Sequence, residues 1–296
     1  MVTDYSHVAP SFQHLLGLSD AERLEFLQQP LWIDYPIADK VITYLHTVLN
    51  KPRRPRMPNV MLVGESNNGK TTLINRFIET CAQAYVDDAA ESVIPVISIE
   101  LSKADIRQLY VKILESFWAP FNVTAPITKL QHQAEHMIRS CKTRMLIIDE
   151  IQALRKGSPG KVRDVMDEIK SLANVLQISV VGVGVPQAVQ LLNADAQYAS
   201  RFEVLTLPQW SLRGDFQSFL KSYERALPLK KVSKLYSPEL TQVIHSITGG
   251  NTGYVEHLLV SCAKDAIVSG AELIDRRMLE KHQWKRSESG IREVSL

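Results

Sequence analysis

Eight residues, Gly64-Glu65-Ser66-Asn67-Asn68-Gly69-Lys70-Thr71, limit what this chain can fold into more than any other stretch. They fit G-x-x-x-x-G-K-[ST], a pattern that works only as the loop between a buried strand and the first turn of a helix. Both flanks comply: Asn59-Val60-Met61-Leu62-Val63 is an apolar run of strand length, and Thr72 to Ile78 is helix-like. Glycines at 64 and 69 are expected to adopt backbone angles that bulkier residues resist, turning successive N–H groups of Glu65, Ser66, Asn67 and Asn68 inward around phosphate oxygens. The new helix, with Thr72 in its first turn, adds its positive end. Lys70 then reaches the β- and γ-phosphates and the Thr71 hydroxyl ligates Mg²⁺, so the expected cofactors are ATP and Mg²⁺.

The remainder of the chain supplies a parallel sheet for this loop. Strands are expected at Val93–Ile99, Arg144–Asp149, Ile178–Val183 and Phe202–Leu207, with helices at Lys103–Trp118, with Ser102 and Asp105 as its cap, at Thr128–Ser140 and at Lys161–Leu176, and a short one from Pro186 to Asn193. Near-continuous apolar strands alternating with helices imply a sheet covered on both faces. From about Trp210 strand signals cease, and helices near 212–226, 238–247, 254–269 and 275–283 suggest a small helical domain. Upstream, Ser19-Asp20-Ala21-Glu22 reads as a capping box, and Val41, Leu45 and Leu49 recur at helical spacing. A linker from Lys51 to Pro58 carries four cations, Lys51, Arg53, Arg54 and Arg56, expected to stand close to the nucleotide site.

Met145-Leu146-Ile147-Ile148-Asp149-Glu150 completes the site: a buried strand ending in two carboxylates. Asp149 is expected to hold Mg²⁺ directly or through water, and Glu150 to orient and deprotonate the attacking water. The pattern is common alone and specific beside a good P-loop. Arg201, just before the last strand, reads either as a solvated loop arginine or as a finger that stabilises γ-phosphate charge in a neighbouring subunit.

Other signals are weaker. His132-Gln133-Ala134-Glu135-His136 fits a zinc pattern, H-x-x-E-H, but sits on a helix where no hydrolytic site is expected, and reads as an exposed polar face. Gly182-Val183-Gly184 lacks the third glycine of a dinucleotide fingerprint. Basic clusters at Lys51–Arg56, Lys103 with Arg107, Lys129, Lys221–Lys234 and Lys281–Arg286 could contact phosphates, although each taken singly reads as a solvated face. Trp32, Trp118 and Trp210 read as packing residues. With 34 basic and 32 acidic residues, net charge does not announce nucleic acid, so any basic surface must be local. Three scattered cysteines and no long apolar segment lead to the expectation of a soluble cytoplasmic protein without membrane contact.

Taken together, Pro30-Leu31-Trp32-Ile33-Asp34-Tyr35, the block Arg56 to Thr71, Ala199-Ser200-Arg201-Phe202 with Leu207-Pro208-Gln209-Trp210, and Thr248-Gly249-Gly250-Asn251-Thr252-Gly253 with the helix that follows resemble the TniB family of AAA+ transposition regulators, which includes the TnsC proteins of CRISPR-associated transposons. The resemblance spans roughly residues 15–275. It implies a RecA-like core at 56–209 with a five-stranded parallel sheet, a helical lid at 210–284, an N-terminal helical extension at 1–55 and a tail at 285–296. It further implies a homo-oligomer, ring or filament, on double-stranded DNA, linking a TniQ-like target selector to a DDE transposase. Arg201 becomes an arginine finger, and Lys103 and Thr124 become contacts to the DNA backbone. Two positions depart from the family: Val185 stands where a polar sensor is usual, and no sensor arginine is evident near Gly253. Slow hydrolysis that times an assembly is the expectation. A non-hydrolysing ATP-gated adaptor and an IstB-like or initiator-like loader stay open as alternatives.

Overall fold

Short apolar runs bounded by caps and turns give the elements of the first two hundred residues, in a computed structural model that describes residues 5–194 and 196–282. Helix α1 (Asp20–Phe26) starts at the expected capping box, with the Ser19 side chain accepting from the Glu22 N–H and the Glu22 carboxylate accepting from the Ser19 N–H. Next come α2 (Pro36–Asn50), β1 (Asn59–Val63), α3 (Lys70–Cys81) and a small hairpin, β2 (Tyr85–Val86) with β3 (Ser92–Val93), which the sequence reading missed. Two-residue strands carry too little alternation to be read from periodicity. Then follow β4 (Val96–Glu100), α4 (Ile106–Ser116), α5 (Ile127–Ser140), β5 (Met145–Asp149), a 3₁₀ turn (Ile151–Lys156), α6 (Pro159–Leu176), β6 (Ser179–Gly184), a 3₁₀ segment (Pro186–Ala194), α7 (Ala196–Ala199) and β7 (Phe202–Thr206). Helices α8 (Gly214–Glu224), α9 (Pro238–Thr248), α10 (Thr252–Val268) and α11 (Arg276–Lys281) complete the described chain.

Two compact units result, one of Ile37–Pro208 and one of the described residues up to Pro36 and from Gln209 onward. In the first, five parallel strands lie in the order β4-β5-β6-β1-β7. All five residues of β1 and all six of β6 are buried, because helices cover both faces. Met61, Leu62, Ile147 and Ile148 are wholly inaccessible. Each such side chain contributes about 1.5–3 kcal/mol of burial. The register Val63↔Gly184 and Ile148↔Gly182 brings the carboxyl ends of β1, β6 and β5 to one edge, where open α/β sheets bind ligands.

In the second unit Trp210 stacks on Phe216 and Phe219, with ring centroids 5.8 and 4.7 Å apart, and Tyr35 meets Trp210 edge-on at 5.1 Å. The buried Glu224 carboxylate accepts the N–H groups of Ser233, Lys234 and Leu235, which fixes the loop between α8 and α9. Ser237, Asn251 and Asp275 cap α9, α10 and α11 through their side chains.

Three expectations need correction. Helix α4 begins at Ile106, not Lys103, because Asp105 is its cap and accepts from the Gln108 N–H. Trp118 is 95% exposed, at a left-handed backbone position (φ 54°), and packs in no core. Two of the four linker positions lie away from the P-loop: Arg53 donates to the Thr143 carbonyl and the Lys51 carbonyl accepts from Arg144, at the amino end of β5. The tail beyond 282, with Lys285 and Arg286, lies outside the described residues.

Candidate functional site

The P-loop leaves the carboxyl end of β1 and enters α3, as its sequence requires. Gly69 is left-handed (φ 80°), as expected, and the second left-handed residue is Asn67 (φ 60°) rather than Gly64. Gly64 is required for space instead: a Cβ there would lie 2.8 Å from the Leu207 carbonyl oxygen. Asn68 is fully buried, and its side-chain amide donates to the carbonyls of Leu207 and Pro208 at 3.0 and 3.1 Å, pinning the loop to the chain leaving β7. Its own N–H closes a turn onto the Glu65 carbonyl, so Asn68 shapes the cradle instead of lining it with a donor. Glu65, Ser66, Asn67, Thr71 and Thr72 are exposed at the mouth.

Lys70 is buried, and its ammonium donates to the carbonyls of Gly64 and Glu65 at 2.9 and 2.8 Å. Burial pulls the Lys70 pKa below its ordinary value, partly opposed by the charges of Glu150, Asp149 and Glu65. A buried cation satisfied only by neutral carbonyls is prepared for an anion. The N-cap of α3 carries no side-chain cap, so the first-turn N–H groups face the same direction unclaimed by a cap. Both features fit a nucleotide phosphate.

The Thr71 hydroxyl donates to Asp149 Oδ2 at 2.7 Å, and Asp149 Oδ1 accepts from the Glu150 N–H at 2.8 Å. A hydroxyl and a carboxylate are the hard oxygen donors that Mg²⁺ takes when phosphates complete its shell. Glu150 itself is left-handed (φ 50°, ψ 34°), an uncommon conformation for a residue of this type. Its carboxylate accepts from the Gln152 side-chain amide. Gln152 was not singled out in the sequence. A polar residue two positions beyond the carboxylate pair is the signal that could have found it.

Arg201 does not join this cluster. It donates to the Asn174 side chain at 2.8 Å, and its carbonyl accepts from the Asn59 N–H at the amino end of β1. The P-loop leaves the other end of that five-residue strand, about 17 Å away at the rise of a β-strand.

Lys103 and Thr124 are gathered at one end of α4. Arg107 donates to the Val123 and Ala125 carbonyls at 2.8 and 2.6 Å, folding the loop that carries Thr124 back toward the turn that carries Lys103. Lys103 is largely exposed, 3.7 Å from Asp105, and the Thr124 hydroxyl donates to Asn122. Other basic residues are engaged locally: Lys230 lies 3.8 Å from Glu272, Lys231 donates to the Ala271 carbonyl and Lys281 pairs with Asp265. In the His132–His136 segment Glu135 is held by Gln131 and Arg139.

The model of the family described as bacterial TniB protein matches residues 23–212, most of the chain. The chain belongs to the TniB family. No curated protein matches it. Solved structures similar to this TniB protein include ORC2 of Aeropyrum pernix in its ADPNP–ADP complexes, 17% identical with a TM-score of 0.61, over 86% of this chain and 70% of that one. The Aeropyrum pernix ORC1 protein in complex with DNA is 18% identical with a TM-score of 0.60, over 84% of this chain and 65% of that one. A RuvB mutant of Thermotoga maritima is 16% identical with a TM-score of 0.51, over 86% and 71%. At these identities the likeness establishes the fold, a parallel five-stranded α/β core of the AAA+ type with C-terminal helices. The TniB protein is an AAA+ ATPase. Among the described residues no helix is long and apolar enough to cross a membrane.

Proposed function

We propose that this TniB protein is an ATP-dependent transposition regulator that assembles on double-stranded DNA and links a TniQ-like target selector to a DDE transposase. The observation that carries the reading is the separation of Arg201 from the chain's own P-loop, at opposite ends of β1. An arginine finger so displaced can act only on the nucleotide of a neighbouring subunit, which makes hydrolysis conditional on assembly. ATP is the substrate; Thr71 and Asp149 are the residues that would hold Mg²⁺, which when bound would supply charge neutralisation of the phosphates. Lys70 gives up its carbonyl contacts for phosphate oxygens. Glu150 takes the proton of the attacking water, and Asp149 orients Glu150 by accepting its N–H. Lys103 and Thr124, with the backbone around them, contact DNA phosphates without reading sequence.

Hydrolysis in this scheme ends the life of the assembly. Electron microscopy with ATP, a non-hydrolysable analogue or ADP, each with and without duplex DNA, tests it. Rings or filaments only with triphosphate and DNA are expected, and Glu150→Gln should make them persist. Particles indifferent to nucleotide, or a Glu150→Gln variant that behaves as wild type, would overturn the reading in favour of a passive adaptor.

A further inference from the structure

The contact between Glu150 and Gln152 continues to a third residue. Gln152 Oε1 accepts from the Val185 backbone N–H at 3.2 Å. Because a backbone N–H can only donate, the oxygen of this amide must face Val185, leaving the NH₂ for the Glu150 carboxylate. The orientation is therefore fixed by its partners. The result is a chain of two hydrogen bonds from the end of β5 to the residue just beyond β6.

Space for that chain is provided by one glycine. A Cβ on Gly184 would lie 2.3 Å from Gln152 Oε1, and 3.2 and 3.3 Å from the Ala188 and Ile151 side chains. Gly182 has a different task, admitting Ile151 and Met61, whose atoms lie 2.8 and 2.9 Å from its built Cβ. Val185 has an apolar side chain, so its N–H is the polar group it presents to Gln152. Glu150 meanwhile stands on a left-handed backbone, fixed on its N–H side by Asp149 and on its carboxylate by Gln152. A long side chain on such a backbone has rotamer freedom to lose, and losing it before the reaction improves the alignment of a base with its water.

We propose that Gln152 is a positioning residue that holds the Glu150 carboxylate and couples it to the end of β6 through the Val185 N–H. Displacement of that strand end moves the base, and movement of the base is felt at the strand end. The inference rests on Glu150 being the general base.

The test is steady-state ATP hydrolysis by the full chain in the presence of duplex DNA, with nucleotide affinity read separately from a fluorescent ATP analogue. Gln152→Ala is expected to lower kcat about 10- to 100-fold, the range that misplacement of a reacting group produces, while KM and nucleotide affinity stay within about twofold. Gly184→Ala should lower kcat by pushing Gln152 aside, and in the Gln152→Ala background it should cost kcat no more than about twofold further, because the atom it strikes hardest is gone and only the tight approaches to Ala188 and Ile151 remain. Unchanged kcat in Gln152→Ala, or losses that multiply in the double variant, would overturn the proposal. So would a Gln152→Ala protein whose melting temperature falls and whose kcat recovers on cooling, since that marks a structural defect. Glu150→Gln is run alongside. If it hydrolyses ATP like the wild type, the base assignment falls and the relay with it; if it is inactive while Gln152→Ala is silent, the relay alone is removed.

Discussion

The Thr71 hydroxyl donates to the Asp149 carboxylate at 2.7 Å, a bond that spans two places in the sheet, from the helix after β1 to the end of β5. It closes the metal side of the site before any ligand arrives. Thr71→Ala removes one of the two hard oxygen donors, so Mg²⁺ should cease to tighten nucleotide binding and hydrolysis should fall about 100-fold or more. Thr71→Ser keeps the hydroxyl and should stay within a few-fold of wild type. Fluorescent-nucleotide titrations with and without Mg²⁺ check both.

Arg201 is held by Asn174 at the amino end of the strands, and the finger role proposed for it predicts complementation. Arg201→Ala should lower turnover about 1,000-fold with little change in nucleotide affinity. Lys70→Ala should lose the nucleotide altogether. Mixed together, the two inactive proteins should regain measurable hydrolysis, because an intact P-loop in one subunit can meet an intact arginine from the other. Mixtures no more active than their components would place Arg201 among structural residues.

The sequence was most legible where a pattern has one physical solution. Gly64–Thr71 needs strand, loop and helix, and that is what β1 and α3 provide. Asp149 and Glu150 had to meet Thr71 and Lys70 because parallel strands deliver their carboxyl ends to one edge. What spacing could not give was the use made of each residue. Gly64 reads as a conformational glycine and proves to be a steric one, facing Leu207 far along the chain. Asn68 reads as a phosphate contact and proves to be an anchor to the same strand exit. Arg53 and the Lys51 backbone lie at the opposite edge, beside Thr143 and Arg144, because a five-residue strand separates the linker from a loop that is close in sequence. Gln152 offers the sequence only its place two residues beyond Glu150, because its other partner, Val185, follows a different strand.

Space and handedness at the P-loop predict opposite tolerances for neighbouring residues. Gly64→Ala puts a methyl group 2.8 Å from a backbone oxygen that cannot swing away, which should cost about 1–3 kcal/mol of stability and weaken nucleotide binding. Asn67 is left-handed without steric need, so Asn67→Gly should leave binding within about twofold, whereas Asn67→Val should lose about 1–2 kcal/mol to backbone strain. Thermal melts and nucleotide titrations on the three variants separate the two causes.

The buried Arg23 guanidinium forks onto Glu272, with bonds of 2.7 and 2.8 Å, and its Nη1 also donates to the Pro228 carbonyl. Burial alone would raise the Glu272 pKa, but the bonds from Arg23 and from the Lys230 N–H more than reverse this, holding it below its ordinary value of 4.5. A carboxyl depressed in the folded state contributes stability that is fully present above its unfolded pKa and is lost as pH falls through the folded value. Glu272→Gln leaves the guanidinium with the exposed Asp20 carboxylate, 2.7 Å away, as its remaining charge partner, and should cost about 1.5–3 kcal/mol at pH 7. The gap between wild type and variant should then narrow as pH drops below 4.5, because acid removes from the wild type the charge that the variant already lacks. Urea midpoints followed by tryptophan fluorescence at pH 7, 5 and 3.5 measure that convergence, and a gap that stays constant with pH would show that the pair contributes packing rather than charge.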